Sequence, residues 1–467
     1  MFDDNNDIKD LVARFEQMLQ NDDFSYFDVE EFEELIVYYI DTLQFDIAEK
    51  AVSIARQQYP FSEEILLREA ELLINREDYQ KALDLLEYLE KTASSNPELY
   101  YLKSSALSKL NRTKDAVKSL EKAAQLNDDN VSDVYFSLAL EYQTEEDYEK
   151  ALDYFKLCLE KAPEEEDVLY ELAYAFDQCG KINEGIAYLN KYLNHYPYSA
   201  HAWFNLGYLY SLAENFEKSV DAYDYALIID NKFISAYYSK AQALVELERY
   251  QEAIDTYHEI LDNLSTDAIT YYFIGECYEN MGDFGKALRY YNNSISTDPK
   301  LADPWVGIAC VLDASGKTTE AFFYLNKALE LEPQNSDFWQ IKADLLRKAG
   351  FVEDALKAYL KVVELEPYKK EVVIDISQMF FEHGYVQNAI EAVKTSLIKF
   401  PQEPTFYFQL AAIYFSLKNN IEGGKYLEKA LEKDKQYLPK FLNNHPEVKN
   451  NKFALQIIQK HNPDYEL

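Results

Sequence analysis

The sequence predicts an all-α solenoid of antiparallel helix pairs, and three observations carry that prediction. A small residue recurs at Ala48, Ala82, Ala116, Ala151, Gly185, Ser219, Ala253, Ala287, Ala321, Ala355, Ala389 and Gly423. The spacing is the same in every interval except Ala116 to Ala151, which is one residue longer. Self-similarity at such a period marks a repeat architecture, in which each unit packs only on its neighbours. Glycine and proline punctuate the repeat at fixed offsets. Finally, 48% hydrophobic and 15% aromatic residues are enough for an ordered chain, because disorder requires far fewer.

Before the array, Ile8, Leu11, Val12, Phe15, Met18 and Leu19 share one helical face, which predicts an opening helix over 8–19 with Asp7 as its N-cap. Twelve repeats follow when each is counted from nineteen residues before its anchor, from Val29 to Pro404. The first helix of each carries a large residue at its fourth position, where Trp203, Trp305 and Trp339 all fall. Its eighth position is small in all repeats but the first, which has Ile36. Small residues at the eighth and twentieth positions let two helix axes approach closely. Gly180, Gly282, Gly316, Gly350 and Gly384 occupy the fifteenth position, where glycine supplies the left-handed residue that ends a helix. The second helix stops at Pro60, Pro163, Pro197, Pro299, Pro333, Pro367 and Pro401, all at the thirty-second position. Three joints are irregular: Ser94, Ser95 and Asn96 before repeat three, the one-residue insertion within residues 127–131, and the Gly423–Gly424 pair in repeat twelve, which lacks the terminal proline. After the array, Phe453, Leu455, Ile457 and Ile458 predict a short helix beyond Pro439 and Pro446. The expected division is thus 1–28 as an N-terminal capping helix, 29–437 as twelve repeats and 438–467 as a C-terminal capping helix.

This pattern resembles the tetratricopeptide repeat family: aromatic at four, small at eight, large at eleven, small at twenty, aromatic or Leu at twenty-four and Pro at thirty-two. The resemblance spans residues 29 to about 437 and implies a right-handed superhelical array.

Composition excludes several function classes. The net charge is −37, from 83 acidic and 46 basic residues, so the surface repels phosphate backbones and anionic membranes. The acidity is heaviest in the first fifty residues, with 15 acidic against 3 basic. Basic partners are favoured instead. No apolar run approaches the length of a membrane-spanning helix, and residues 1–7 (MFDDNND) do not read as a secretory signal. Cys158, Cys179, Cys277 and Cys310 have no metal-ligand spacing and suit a reducing, cytoplasmic setting. Glycine-rich phosphate loops, GxSxG, HExxH and CxxC are all missing. His195 and His201 are six residues apart across a loop, which is no helical ligand spacing. The segments flanking the repeats, 1–28 and 438–467, are too short for a catalytic domain. A non-enzymatic chain with no cofactor and no metal is expected.

In the resembled family, the second, fifth, ninth, twelfth and thirteenth positions of each first helix face a concave groove. Carried onto this chain, the fifth position gives Tyr101, Phe136, Tyr170, Phe204, Tyr238 and Tyr272, and the ninth adds Tyr174 and Tyr208. Asp133, Asp167, Asp177, Glu246, Glu276 and Glu279 stand at other inward positions. Rings and carboxylates together suit a protein or peptide segment, extended or helical, with basic and apolar side chains. The family's clamp for chaperone C-termini is not reproduced: no repeat has Lys or Arg at its fifth position, and Arg68 and Asn205 lie four repeats apart. The expectation is a protein-interaction scaffold, with self-association into a homo-oligomer as the alternative.

Overall fold

The computed structural model describes residues 4–21, 25–92, 95–126, 131–263 and 267–461. Among these there are twenty-eight helices and no strand. After the opening helix Asp4–Asn21, twenty-four helices of nearly equal length come in pairs, from Val29–Asp41 with Phe45–Gln58 to Pro404–Ser416 with Asn420–Lys433. Three shorter helices close the chain: Leu438–Asn444, Pro446–Lys449 and Lys452–His461. The chain packs as two compact units, Met1–Arg249 and Tyr250–Leu467. Their boundary falls between the two helices assigned to the seventh repeat.

The turn within each pair is uniform. The residue at the fifteenth position has φ between +55° and +82° in all twelve repeats, yet only five of these residues are glycine; the others are Leu43, Glu77, Asn111, Glu146, Glu214, Glu248 and Lys418. The following N–H reaches back five residues to a carbonyl, as in Lys181 N–H to Phe176 O (2.9 Å) and Asn215 N–H to Tyr210 O (2.9 Å). This is the Schellman closure, which satisfies carbonyls that the helix end leaves open.

The small eighth position makes room for the ring at the twenty-fourth. A Cβ on Gly207 would lie 2.6 Å from the Tyr223 ring, and one on Gly275 would lie 2.6 Å from the Tyr291 ring. In the same place Ser219 Oγ donates to Gly207 O at 2.8 Å, tying the twentieth position to the eighth. Two of the three tryptophans at the fourth position have a polar task besides packing, Trp305 being the exception. Trp203 Nε1 donates to Pro197 O (2.9 Å) and Trp339 Nε1 to Pro333 O (3.0 Å), while Tyr407 OH does the same to Pro401 O (3.0 Å). Each bond satisfies a carbonyl at the end of the previous second helix.

In the first unit, the opening helix buries Leu11, Phe15 and Met18 against Phe27, Phe32 and Tyr39. Full burial of Phe15 alone stabilises this joint by about 2–3 kcal/mol. The helix begins at Asp4, so the expected N-cap Asp7 instead lies inside its first turn. At repeat three, Asn96 accepts from Glu98 N–H (2.9 Å) and Pro97 opens the helix; Ser94 and most of the 127–131 insertion lie outside the described residues.

In the second unit, the segment after the last repeat is more helical than expected. Pro439 lies in the first turn of Leu438–Asn444 rather than before a helix, because proline is tolerated where the N–H has no intrahelical acceptor. Leu438, Phe441, Leu442 and Val448 join Ala454, Ile457 and Ile458 in one buried cluster. Gly424 lets the final helix dock: a Cβ there would meet Phe453 at 2.6 Å and Ile457 at 2.8 Å.

Candidate functional site

The aromatic residues expected to line a groove lie on successive first helices, and the two units are best taken separately. In the first unit, Tyr101 and Tyr174 are 39% and 40% exposed, while Phe136, Tyr170, Phe204, Tyr208 and Tyr238 are half-buried. Asp133, Asp167 and Glu246 are exposed and Asp177 is half-buried.

The structure gathers part of this set into one cluster. Tyr170 and Phe204 have ring centroids 5.7 Å apart, and Phe204 lies 4.9 Å from Phe233 and 5.6 Å from Tyr223. His201 completes the group, 5.6 Å from Tyr170 and 4.9 Å from Phe233, with Nδ1 2.9 Å from a Glu166 carboxylate oxygen. Burial, with Glu166 and Asp167 nearby, pushes the Tyr170 phenol up to about 12. Burial and the Asp177 carboxylate raise the Tyr208 phenol in the same way. Other members are drawn elsewhere. Phe136 turns toward the buried Phe155 at 6.0 Å, and Tyr174 meets Tyr148 at 6.1 Å.

Sequence reasoning passes over two members of this cluster. His201 holds an inward second position, but its spacing from His195 bears only on metal binding, and Phe233 ends its repeat in a loop. Nor does sequence anticipate what Arg68 does. That guanidinium lies within ion-pair distance of Glu33 (3.3 Å), Glu71 (2.5 Å) and Glu98, on three successive first helices, and its side chain is only 11% exposed. It is held by the chain's own carboxylates.

In the second unit, the helix Ala268–Asn280 carries Tyr272, Glu276 and Glu279 on one face. Tyr272 OH donates to Glu276 Oε1 at 2.6 Å, and Tyr291 OH donates to Glu279 Oε2 at 2.5 Å. These residues and Asp303, Cys310 and Ile341 line a cavity of about 400 Å³. Burial raises the Glu276, Glu279 and Asp303 carboxyls above the ordinary range; the neighbouring charges of Glu279 and Asp303 add to the effect at Glu276. None of the three has an ion-pair partner among the described residues. Burial raises the Tyr272 and Tyr291 phenols, and so do the carboxylates that accept their hydrogen bonds.

Such a site offers aromatic faces and carboxylate acceptors, which is chemistry for binding cations and hydrogen-bond donors. Among the described residues, no group of three or more His, Cys, Asp or Glu is placed to hold a metal ion. No described helix is long and apolar enough to cross a membrane.

Comparison with known proteins fits this architecture. A tetratricopeptide repeat model matches residues 52–334 and a second matches residues 404–437. A TPR repeat-containing protein of Methanocaldococcus jannaschii is 33% identical over 197 residues, covering 40% of this chain and 34% of that protein. Anaphase-promoting complex subunit 3 of Schizosaccharomyces pombe is 21% identical over 224 residues, covering 47% of this chain and 34% of that one. The chain thus spans about a third of the length of these curated relatives. Among solved structures, a tetratricopeptide repeat protein from Parabacteroides merdae aligns over 55% of this chain and 98% of its own, at 18% identity and a TM-score of 0.42. With a family match over residues 52–334 and twelve anchors evenly spaced but for one added residue, the chain belongs to the tetratricopeptide repeat family.

Proposed function

We propose that this chain is a non-catalytic scaffold that binds peptide or helical segments of partner proteins on the aromatic, acidic face of its first helices. One observation carries the reading. The eighth position of each first helix is buried almost completely, whereas Tyr101, Tyr174, Asp133, Asp167 and Glu246 stay exposed on the first helices of their repeats. Rings there supply contact area at low entropic cost, and carboxylates supply steering and register. A relative that is by name a subunit of the anaphase-promoting complex supports a role within assemblies. The acidic surface favours basic or apolar partners over nucleic acid or membrane, and a cytoplasmic setting suits the four free cysteines.

The test compares wild type with the Phe204→Ala, Tyr238→Ala double variant as bait in native lysate, read by mass spectrometry, with helicity checked by circular dichroism. The expected result is a partner retained by wild type and lost by the variant at unchanged helicity. Identical capture by both would move the binding surface off these residues, and oligomeric bait with no partner would replace the scaffold reading with self-association.

A further inference from the structure

The chain contains its own example of a guanidinium held by this repeat. Arg68 sits at the sixth position of repeat two. It lies against Glu71 at the ninth position of the same repeat (2.5 Å) and against Glu98 at the second position of the next. The Tyr272 cavity repeats that frame in the second unit. Glu276 is at the ninth position of repeat eight and Asp303 at the second position of repeat nine. The sixth position, however, is Phe273, whose ring stacks on Tyr257 at 5.6 Å. Two of the three carboxylates around Arg68 recur, Tyr238 stands where Glu33 would, and the arginine is absent.

We infer that the Tyr272 cavity is a receptor for an arginine side chain of a partner protein, which takes the place that Arg68 occupies between Glu71 and Glu98. The inference rests on the scaffold reading and names the chemistry of its ligand.

Geometry supports arginine in particular. Glu276 and Glu279 each have one oxygen engaged by a tyrosine hydroxyl, through Tyr272 and Tyr291. Their other oxygens, and the Asp303 carboxylate, accept nothing from a side chain among the described residues. A guanidinium carries five N–H donors in a planar fork and can serve two carboxylates at once. It also stacks on aromatic faces, and Tyr272 and Tyr291 stand 5.9 Å apart at the same cavity. A lysine brings a point charge and neither property. About 400 Å³ is room for a long side chain but not for a helix of ~10 Å diameter. The raised carboxyls fit an unfilled cation site: an arriving guanidinium drives them to ionise, so binding releases protons and weakens on acidification.

The probe is N-acetyl-arginine amide, titrated into the full chain with isoleucine methyl groups labelled for NMR. Ile341, which lines the cavity, is the reporter. The expected result is a saturable Ile341 shift with arginine amide, about tenfold weaker binding of N-acetyl-lysine amide, and no shift with the neutral isostere N-acetyl-citrulline amide. Glu276→Gln with Asp303→Asn should lower affinity about tenfold or more. Glu214→Gln with Glu248→Gln, which removes equal charge elsewhere, should leave it unchanged. Equal affinity for lysine and arginine amides, an unaltered response in the cavity variant, or no saturation would each overturn the assignment. A lysate partner that depends on Phe204 and Tyr238 but no Ile341 shift would refute the arginine site alone and leave the scaffold standing.

Discussion

Gly207→Ala should destabilise the first unit although alanine is the better helix former. A Cβ at this position would stand 2.6, 2.8 and 3.0 Å from three atoms of the Tyr223 ring. Carbon atoms in contact prefer about 3.5–4.0 Å, so one of the two groups must move by nearly 1 Å. Tyr223 is 2% exposed and has the Phe204 ring beside it at 5.6 Å, which limits its retreat. Overpacking of this kind costs about 1–3 kcal/mol. Replacing glycine inside a helix returns up to about 1 kcal/mol, which leaves a net loss of up to ~2 kcal/mol when that return is realised in full. Gly285→Ala is the control. There the added Cβ meets nothing nearer than Asp283 Oδ1 at 3.8 Å, and the change should stabilise by about 0.5 kcal/mol. Hydrogen exchange is the assay, because repeat arrays open locally and a single melting temperature would average over them. The Gly207 variant should lose protection in Ala200–Leu212 and Phe216–Ile229, and its displaced Tyr223 should weaken partner capture through Phe204. If Gly207→Ala is as stable as wild type, the close approach of the eighth and twenty-fourth positions is not what selects small residues there.

Glu214→Gly should stabilise by ~0.5–1 kcal/mol, because Glu214 holds φ at +55°, a strain of about 1–2 kcal/mol partly offset by the greater freedom of unfolded glycine. Asn111→Gly, measured alongside by hydrogen exchange, should gain less because asparagine tolerates that conformation. Arg68→Ala should cost about 2 kcal/mol in urea unfolding, below the range for a fully buried pair because Glu33, Glu71 and Glu98 are 27–41% exposed. A loss no larger than about 0.5 kcal/mol, the scatter of ordinary surface substitutions, would show the arginine to be dispensable. Glu276→Gln should stabilise the second unit at neutral pH. The Glu276 carboxyl is raised above 4.5 by burial, so the folded state keeps a proton that the unfolded chain releases. Its stabilising contribution is full below the unfolded value and is lost as pH rises through the folded one. The glutamine variant should therefore show a flatter fall in stability from about pH 4.5 to 7, measured by thermal melts across that range.

The fold was largely legible because each rule of the repeat has a local cause. Small residues at Gly207 and Ser219, proline at Pro197 and an apolar face at Leu11, Phe15 and Met18 all state their roles in residue type alone. The fifteenth position was only half legible. Five glycines announced the left-handed turn, but Glu77 or Lys418 cannot, because the surrounding helices impose a conformation that those residues do not prefer. The candidate site was less legible, since it depends on which neighbours a side chain reaches. Phe136 and Phe204 hold the same position, yet one turns toward Phe155 and the other joins Tyr170 and Phe233. Asp303 holds the same inward second position as Asp133 and Asp167 and was passed over, because position alone does not show which neighbour it reaches. It matters only beside Glu276 of the repeat before.

That last pairing shows how one repeat can serve two ends. The eighth, fifteenth, twentieth and twenty-fourth positions are committed to the fold, and substituting them disturbs packing. The second and ninth are largely free of that duty, while the sixth packs in some repeats, as at Leu102, Asn205 and Phe273, and makes ion pairs in another, as at Arg68; these positions can thus be spent on structure or on recognition. Glu71 and Glu98 around Arg68 form a closed site, which with Glu33 ties repeats one, two and three together. Glu276 and Asp303, with Phe273 rather than arginine at the sixth position, form an open one. Burial of the Glu276, Glu279 and Asp303 carboxyls with no ion-pair partner among the described residues opposes their ionisation, whereas the carboxylates at residue 68 have an internal arginine beside them. A stability cost left in place where the chain demonstrably holds the remedy is what a binding site predicts, because the missing cation then comes from the partner.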